Sequence, residues 1–482
     1  VICYHTFCMK NYKWIAFLAV TLSLFVSVMS MGAILISLKD ISHSFNTPIH
    51  QVSWLVIVHL LTVTAILLPA GNIADRFGRK NVHIFGILIF IIGTLLGVFA
   101  NTFEILIFSR IIMAIGSGMG QAVGGAIVSS LFPDSERGKS LGMMSTSVGL
   151  GQTVGPVVGG LLVYNFGWES VYVFLLVPMI LAFILGYLLL KKDEIESVDS
   201  DNQMFDYKGT LFGISFIITL IVGLKNLSFE NIFSNYSILF LIISIFFGLG
   251  FIFTELRANN PLLNFGLFKK KDFSVAVNTR FFAFMSMSTD MIMMPIFLTG
   301  LLNINESNVG FMLIFGALAF AISAPIGGRL SDQFGREKFI ILGLLLLIFA
   351  YAMISQFSVN SSKIFITSIL IIGGVGKGLW GSPNMAITYS SLDKNQYGFV
   401  SSIISFIRNM GNTLGQTYAT IILSAFLIIG ANYNGDISGL SSLEESSINV
   451  FLNAWKFIYF SSIFFLLISL IPNIFVIRQK QI

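Results

Sequence analysis

The chain has 482 residues, 55% of them hydrophobic and only 11% charged, where a soluble chain carries ~25% charged residues. That deficit, with a mean hydropathy of +0.86, excludes a water-soluble globular protein and makes lipid the solvent. The net charge of +5 does not point to nucleic acid, because the basic residues of a membrane protein collect in its cytoplasmic loops.

A spanning helix needs about 20 mostly apolar residues. Near the N-terminus, Met9-Lys10-Asn11-Tyr12-Lys13 reads like a start followed by cytoplasmic charge, which would put residues 1–8 upstream of it. Those eight residues hold the two cysteines, Cys3 and Cys8, too few for a disulfide framework or a metal cluster. The first apolar run, 14–36, is too long for a signal-peptide core and lacks a cleavage site, so it is retained as a helix. Runs follow at 51–71, 82–100, 103–125, 140–164, 169–190, 208–224, 235–255, 274–299, 308–328, 338–356, 364–386, 398–429 and 450–477. That makes fourteen predicted helices.

With both termini inside, twenty of the 28 Lys and Arg fall in cytoplasmic segments. Four fall outside, Lys39, Lys225, Lys363 and Lys456, and Arg110, Arg280, Lys377 and Arg408 lie within the runs. This inside bias supports both the orientation and the helix number. The polar stretch 191–206 reads as a linker after the sixth helix, and the outer loop 430–449 as a flexible segment.

Between the second and third runs, residues 71–80 read Gly-Asn-Ile-Ala-Asp-Arg-Phe-Gly-Arg-Lys. Gly71 permits close packing of the second helix. Asp75 lies where a carboxylate can face the positive end of another helix. Arg76, Arg79 and Lys80 hold the turn in the cytoplasm. Residues 328–338 read Gly-Arg-Leu-Ser-Asp-Gln-Phe-Gly-Arg-Glu-Lys and repeat that pattern between the tenth and eleventh runs. A basic turn repeated at matching places in two halves marks a duplicated transporter. The fifth run carries Gly142, Gly151, Gly155, Pro156, Gly159 and Gly160, a small-residue face with a kink. Asp290, in the ninth run, is the only acid deep inside a predicted helix, and Lys377 lies in the glycine-rich twelfth. Intramembrane charges are costly and mark function by default. A structural Asp290–Lys377 ion pair is the alternative reading. His59 and His83 are expected to be hydrogen-bonded rather than ligands. No phosphate-cradling loop, nucleophile triad or metal spacing is present, so neither an enzyme nor ATP as energy source is expected.

The two turns resemble the G-x-L-A-D-r-x-G-r-K signature of the major facilitator superfamily, carried here by Gly71, Asp75, Arg76, Gly78 and Arg79, and by Gly328, Asp332, Gly335 and Arg336. The resemblance implies an all-α membrane protein of two six-helix bundles, 1–195 and 273–482, with two extra helices inserted in a linker region, 196–272. It implies that the turns latch the cytoplasmic side. The fifth-run glycines and Pro156 resemble the G-x8-G-x3-G-P-x2-G-G motif associated with the family's antiporters. Arg110, in Leu106 to Gly116, resembles the l-x-x-x-R-x-x-q-G pattern linked to proton transfer, with Met113 where Gln is common. A tie to backbone carbonyls is the equal alternative for it. By core register, Arg110, Asp290 and Lys377 would all face the central cavity. The first run departs from the pattern of fourteen-helix drug:proton antiporters, since Ser30 stands where an acid is common. The implied protein is a plasma-membrane proton antiporter of small amphiphilic compounds, both termini cytoplasmic. It would act as a monomer driven by the proton gradient, without cofactor or nucleic acid. A nutrient-importing proton symporter and a non-transporting sensor are the alternatives. The direction of flux separates the first, and absence of proton-coupled flux the second.

Overall fold

The computed structural model describes residues 2–47, 49–191, 206–225, 235–258, 261–304, 306–393, 396–431 and 445–481. Among these there is no strand, and 14 helices are long and apolar enough to cross a membrane. They are α1 (Ile2–Ser44), α2 (Trp54–Phe77), α3 (Arg79–Val98), α4 (Phe103–Leu131), α5 (Asp134–Phe166), α6 (Glu169–Leu189), α7 (Tyr207–Lys225) and α8 (Asn235–Arg257). The series continues with α9 (Lys271–Pro295), α10 (Glu306–Phe334), α11 (Arg336–Ile354), α12 (Lys363–Ser390), α13 (Tyr397–Ala431) and α14 (Glu445–Gln481). Each overlaps one predicted run. Most helices outrun their apolar cores because polar residues propagate a helix past the hydrocarbon at no cost in unpaired backbone. Parts of the predicted linker 191–206 and of the outer loop 430–449 lie outside the described residues.

The two signature turns are built alike. A single glycine separates each helix pair, Gly78 at φ 92° and Gly335 at φ 103°. Both occupy the left-handed region, which side chains with a Cβ rarely adopt. The Gly78 N–H closes α2 on the Ala74 carbonyl at 3.0 Å, and the Gly335 N–H closes α10 on Ser331 at 3.0 Å.

The chain divides into two compact units. The first comprises Val1–Ile214, Thr254–Phe265 and Tyr389–Phe406; the second comprises Ser215–Phe253, Gly266–Thr388 and Ile407–Ile482. The boundaries cut α7, α8, α12 and α13, whereas of those expected from sequence 195/196 lies outside the described residues and 272/273 lies in the first turn of α9. The first unit claims the start of α13 because the end of α2 and the starts of α3 and α5 hold it, as described below.

Within the first unit, α5 lies directly on α1. A Cβ on Gly151 would stand 2.6 Å from the Phe25 carbonyl oxygen, one on Gly155 2.5 Å from that of Met29, and one on Gly159 2.6 Å from the Ala33 Cα. Pro156 fills the matching space at Gly32, where a Cβ would meet its Cδ at 2.6 Å. Three of the motif glycines therefore form the contact face. Gly160 lies off it, with only Ile36 Cγ2 at 3.7 Å. Without a hydrophobic drive between helices in lipid, such close backbone approach is what holds the pair together.

The second unit has a core of large rings, including Tyr351, Trp380, Trp455, Tyr459, Phe297 and Phe357. A π-helical turn, Ile296–Leu301, prolongs α9 and sets the Phe297 ring 4.5 Å from Trp455, centroid to centroid. On α8, Ile242, Phe246, Leu249 and Phe253 form one exposed stripe, the apolar outward face that a lipid solvent requires.

Candidate functional site

Four helices of the second unit converge on Asp290. The Lys377 Nζ of α12 lies 3.0 Å from Asp290 Oδ2. The Tyr351 hydroxyl of α11 donates to the same oxygen at 2.8 Å, and the Tyr459 hydroxyl of α14 donates to Oδ1 at 3.0 Å. The two tyrosine rings meet edge-on at 5.5 Å and are both fully buried. Lys377 lies 14 residues from one end of α12 and 13 from the other, about 20 Å from each at 1.5 Å per residue. Asp290 lies 19 residues into the span Lys271–Leu301 and Tyr351 only three residues from the end of α11, so the cluster lies within the spanning segments, toward the end of the bundle where α9 and α11 finish.

Local sequence explains the convergence. Asp290 continues a polar face of α9 on which the Ser286 hydroxyl donates to the Ser462 carbonyl at 3.0 Å and Thr289 Oγ1 meets Ser462 Oγ at 3.3 Å. One turn before Ser462 stands Tyr459. The Trp455 indole N–H donates to the Ile354 carbonyl at 2.8 Å. That bond locks α14 to α11 one turn from both tyrosines and so sets their register. Gly343 and Gly376 let α11 and α12 touch, since a Cβ on Gly343 would stand 2.5 Å from the Trp380 nitrogen and one on Gly376 3.0 Å from the Gly343 oxygen. That proximity brings Lys377 within reach of the acid. The arrangement neutralises the carboxylate and gives both oxygens a donor, which is what makes a buried charge tolerable. Chemically it is an acid held in reserve. A proton on Asp290 would cancel the charge that pairs with the ammonium, while a neutral carboxyl can still accept from a phenol.

Arg110 makes its contacts inside the first unit. It is fully buried, with Nε directed at the Leu55 carbonyl of α2 at 3.4 Å and Nη1 at Met113 Sδ at 3.8 Å. Its own carbonyl meets His59 Nδ1 at 3.4 Å. The side chain expected on an open cavity is thus enclosed among helices, because a guanidinium in lipid lowers its cost by finding carbonyl oxygens. His83 is also hydrogen-bonded, to Ser23 Oγ at 3.3 Å.

The first signature turn meets the start of α13 within the first unit. Asp75 Oδ2 accepts the Phe399 N–H at 3.1 Å, so a carboxylate faces the positive end of that helix. Gly398 leaves the room, because the Asp75 carboxylate occupies the place where its Cβ would stand. At Gly71 the corresponding place is taken by Ser402. Arg79 Nη2 lies 3.5 Å from Asp75 Oδ1, and Arg79 and Arg137 both lie over the Tyr397 ring, at 5.9 and 5.4 Å. Arg137 also donates to Ser390 Oγ at 3.0 Å and to Asp134 at 2.6 Å. The exposed Arg76 lies over Phe77. The second turn repeats the internal pair, Arg336 Nη2 to Asp332 Oδ1 at 3.1 Å, again four residues apart.

Sequence reading missed Tyr351, Tyr459, Arg137, Tyr397 and Gly398. The two tyrosines carried a signal, a phenol within an otherwise apolar run that must find a partner when buried. Gly398 carried none, since only the position of Asp75 requires it.

The family model described as Major Facilitator Superfamily matches residues 20–415 and 276–480. The chain is 27% identical to the riboflavin transporter RibZ of Clostridioides difficile over 88% of this chain and 90% of that one. It is 28% identical to the multidrug transporter protein MdtP of Bacillus subtilis, over 78% and 69% of the two. Among solved structures, the human organic anion transporter MFSD10 matches with a TM-score of 0.62 and 13% identity, covering 95% of this chain and 99% of that chain, a likeness of fold. With 14 spanning helices, two signature turns and a family match from residue 20 to residue 480, the chain belongs to the Major Facilitator Superfamily.

Proposed function

We propose that this transporter is a proton-coupled antiporter of the fourteen-helix drug-export type. It sits in the plasma membrane with both termini in the cytoplasm and exports small amphiphilic compounds by alternating access. The observation that carries the reading is a carboxylate within the spanning helices, Asp290, held by Lys377, Tyr351 and Tyr459. Protonation there would favour one state and deprotonation the other, which is the differential a driving ion needs. The relatives named multidrug transporters support drug-like cargo. The riboflavin relative favours a second reading, in which a neutral planar compound such as riboflavin is carried. The direction of flux then decides between export and import.

The Asp75 contact with α13 is read as the latch of one conformation. Asp75→Asn removes a charge at a helix end worth ~1 kcal/mol, about fivefold in a conformer equilibrium. Gly71→Leu forces Ser402 aside. Both variants are expected to express near normally and transport several-fold more slowly in vesicles. Full rates in both would reduce the turn to a topology signal.

Asp290→Asn is expected to abolish uptake into inverted vesicles driven by a proton gradient while leaving substrate exchange measurable. Lys377, whose side chain is 31% exposed, then loses its partner, and the single variant should express somewhat less well, since solvent screens part of that charge. Asp290→Asn with Lys377→Met should recover expression but not proton-driven uptake. Normal proton-driven uptake by either variant would remove Asp290 from coupling.

Asp290 is already neutralised by Lys377 at 3.0 Å, so a cationic substrate would have to displace an ammonium. A competition panel in vesicles should therefore rank riboflavin and neutral, zwitterionic or anionic amphiphiles above quaternary-ammonium dications of the same size. Tightest competition by a dication, kept in Lys377→Ala, would contradict this.

A further inference from the structure

The described residues leave a cleft of about 430 Å³ in the second unit, at the end of α9 that begins with Lys271. It lies between the 3₁₀ turn Phe265–Lys269, the first turn of α9 and the last part of α14. Its walls differ in chemistry. Lys269, Lys271 and Ser274 supply ammonium and hydroxyl donors, while Phe268, Ile471 and Phe475 supply an apolar wall. Lys269, Lys270 and Lys271 are all exposed. Ile471 and Phe475 are 49% and 58% exposed and lie one turn apart on the same stripe of α14. Phe268 is set edge-on against the buried Phe273 at 5.4 Å, which fixes the wall of the cleft. The nearby acid, Asp272, lines a separate small pocket with Glu337 rather than this cleft.

Position identifies the occupant. The span of α9 starts at Lys271, so the lysines stand where apolar helix gives way to the polar face of the membrane. The stripe of α14 continues from there into the hydrocarbon. A ligand filling this space carries a negative head at the rim and an apolar tail along the stripe. The geometry points to a binding site for an anionic phospholipid, its phosphodiester on Lys269 and Lys271 and an acyl chain along Ile471 and Phe475. The volume is within the ~300–1,000 Å³ of small-molecule sites, and basic pockets between spanning helices at the membrane face suit phosphate headgroups. A cationic headgroup would be repelled by the two ammoniums, and a zwitterionic one would set its own cation beside them. A soluble phosphate would leave the apolar wall open to water.

The test is native mass spectrometry of the purified full-length protein, titrated with phosphatidylglycerol or with phosphatidylcholine of the same chains. Tighter binding of phosphatidylglycerol is expected. Lys269→Gln with Lys271→Gln should weaken it about 25-fold, roughly fivefold for each lysine near a membrane face. Lys269→Arg with Lys271→Arg should keep it. Glycerol 3-phosphate at the lipid's concentration should not displace it. Both side chains are exposed, so the Gln variant is expected to fold. Equal binding of the two lipids, unchanged phosphatidylglycerol binding in the Gln variant, or displacement by glycerol 3-phosphate would each overturn the proposal.

Discussion

An ionised carboxylate placed among spanning helices costs several kcal/mol unless it is both neutralised and hydrogen-bonded. Asp290 meets that constraint with one ammonium and two phenols, contributed by α12, α11 and α14. Much of the second unit can be traced to the requirement. Glycines at 343 and 376 bring α11 and α12 into contact, the Trp455–Ile354 bond sets the register of the tyrosines, and the serine and threonine seam holds α9 to α14.

The first unit solves a different problem with similar means. Its buried Arg110 lies against a backbone carbonyl rather than an acid. Its signature turn uses a carboxylate to hold the positive end of α13. The two turns share a left-handed glycine and an acid–arginine pair four residues apart. Asp75 in addition accepts the Phe399 N–H.

The fold was legible because lipid imposes a coarse rule. Long apolar runs and the one-sided distribution of Lys and Arg located fourteen helices. The glycine face of α5 was legible too, since small residues at four-residue spacing have few other uses in a membrane. The site was legible in its charges and illegible in its partners. Asp290 and Lys377 stood out as ionisable residues in apolar runs, and that rarity found them. Tyr351 and Tyr459 did not, because tyrosine is common at membrane boundaries and only burial turns its hydroxyl into an obligatory donor. Gly398 was hidden for a stronger reason. Its role is set by a residue 323 positions earlier, and no local pattern encodes such a contact. Arg110 was found by motif, but its surroundings depend on how α2, α4 and α6 pack.

The proposed coupling requires that the transported compound bind better to the state in which Asp290 has lost its proton. Proton release on adding substrate to the purified protein, in weakly buffered detergent solution with a pH indicator, tests it most directly. The account predicts that the wild-type protein releases a proton as substrate binds, and that Asp290→Asn with Lys377→Met binds substrate without release. Release of the same size from that variant, or substrate binding to the wild type with no release at any pH, would contradict it.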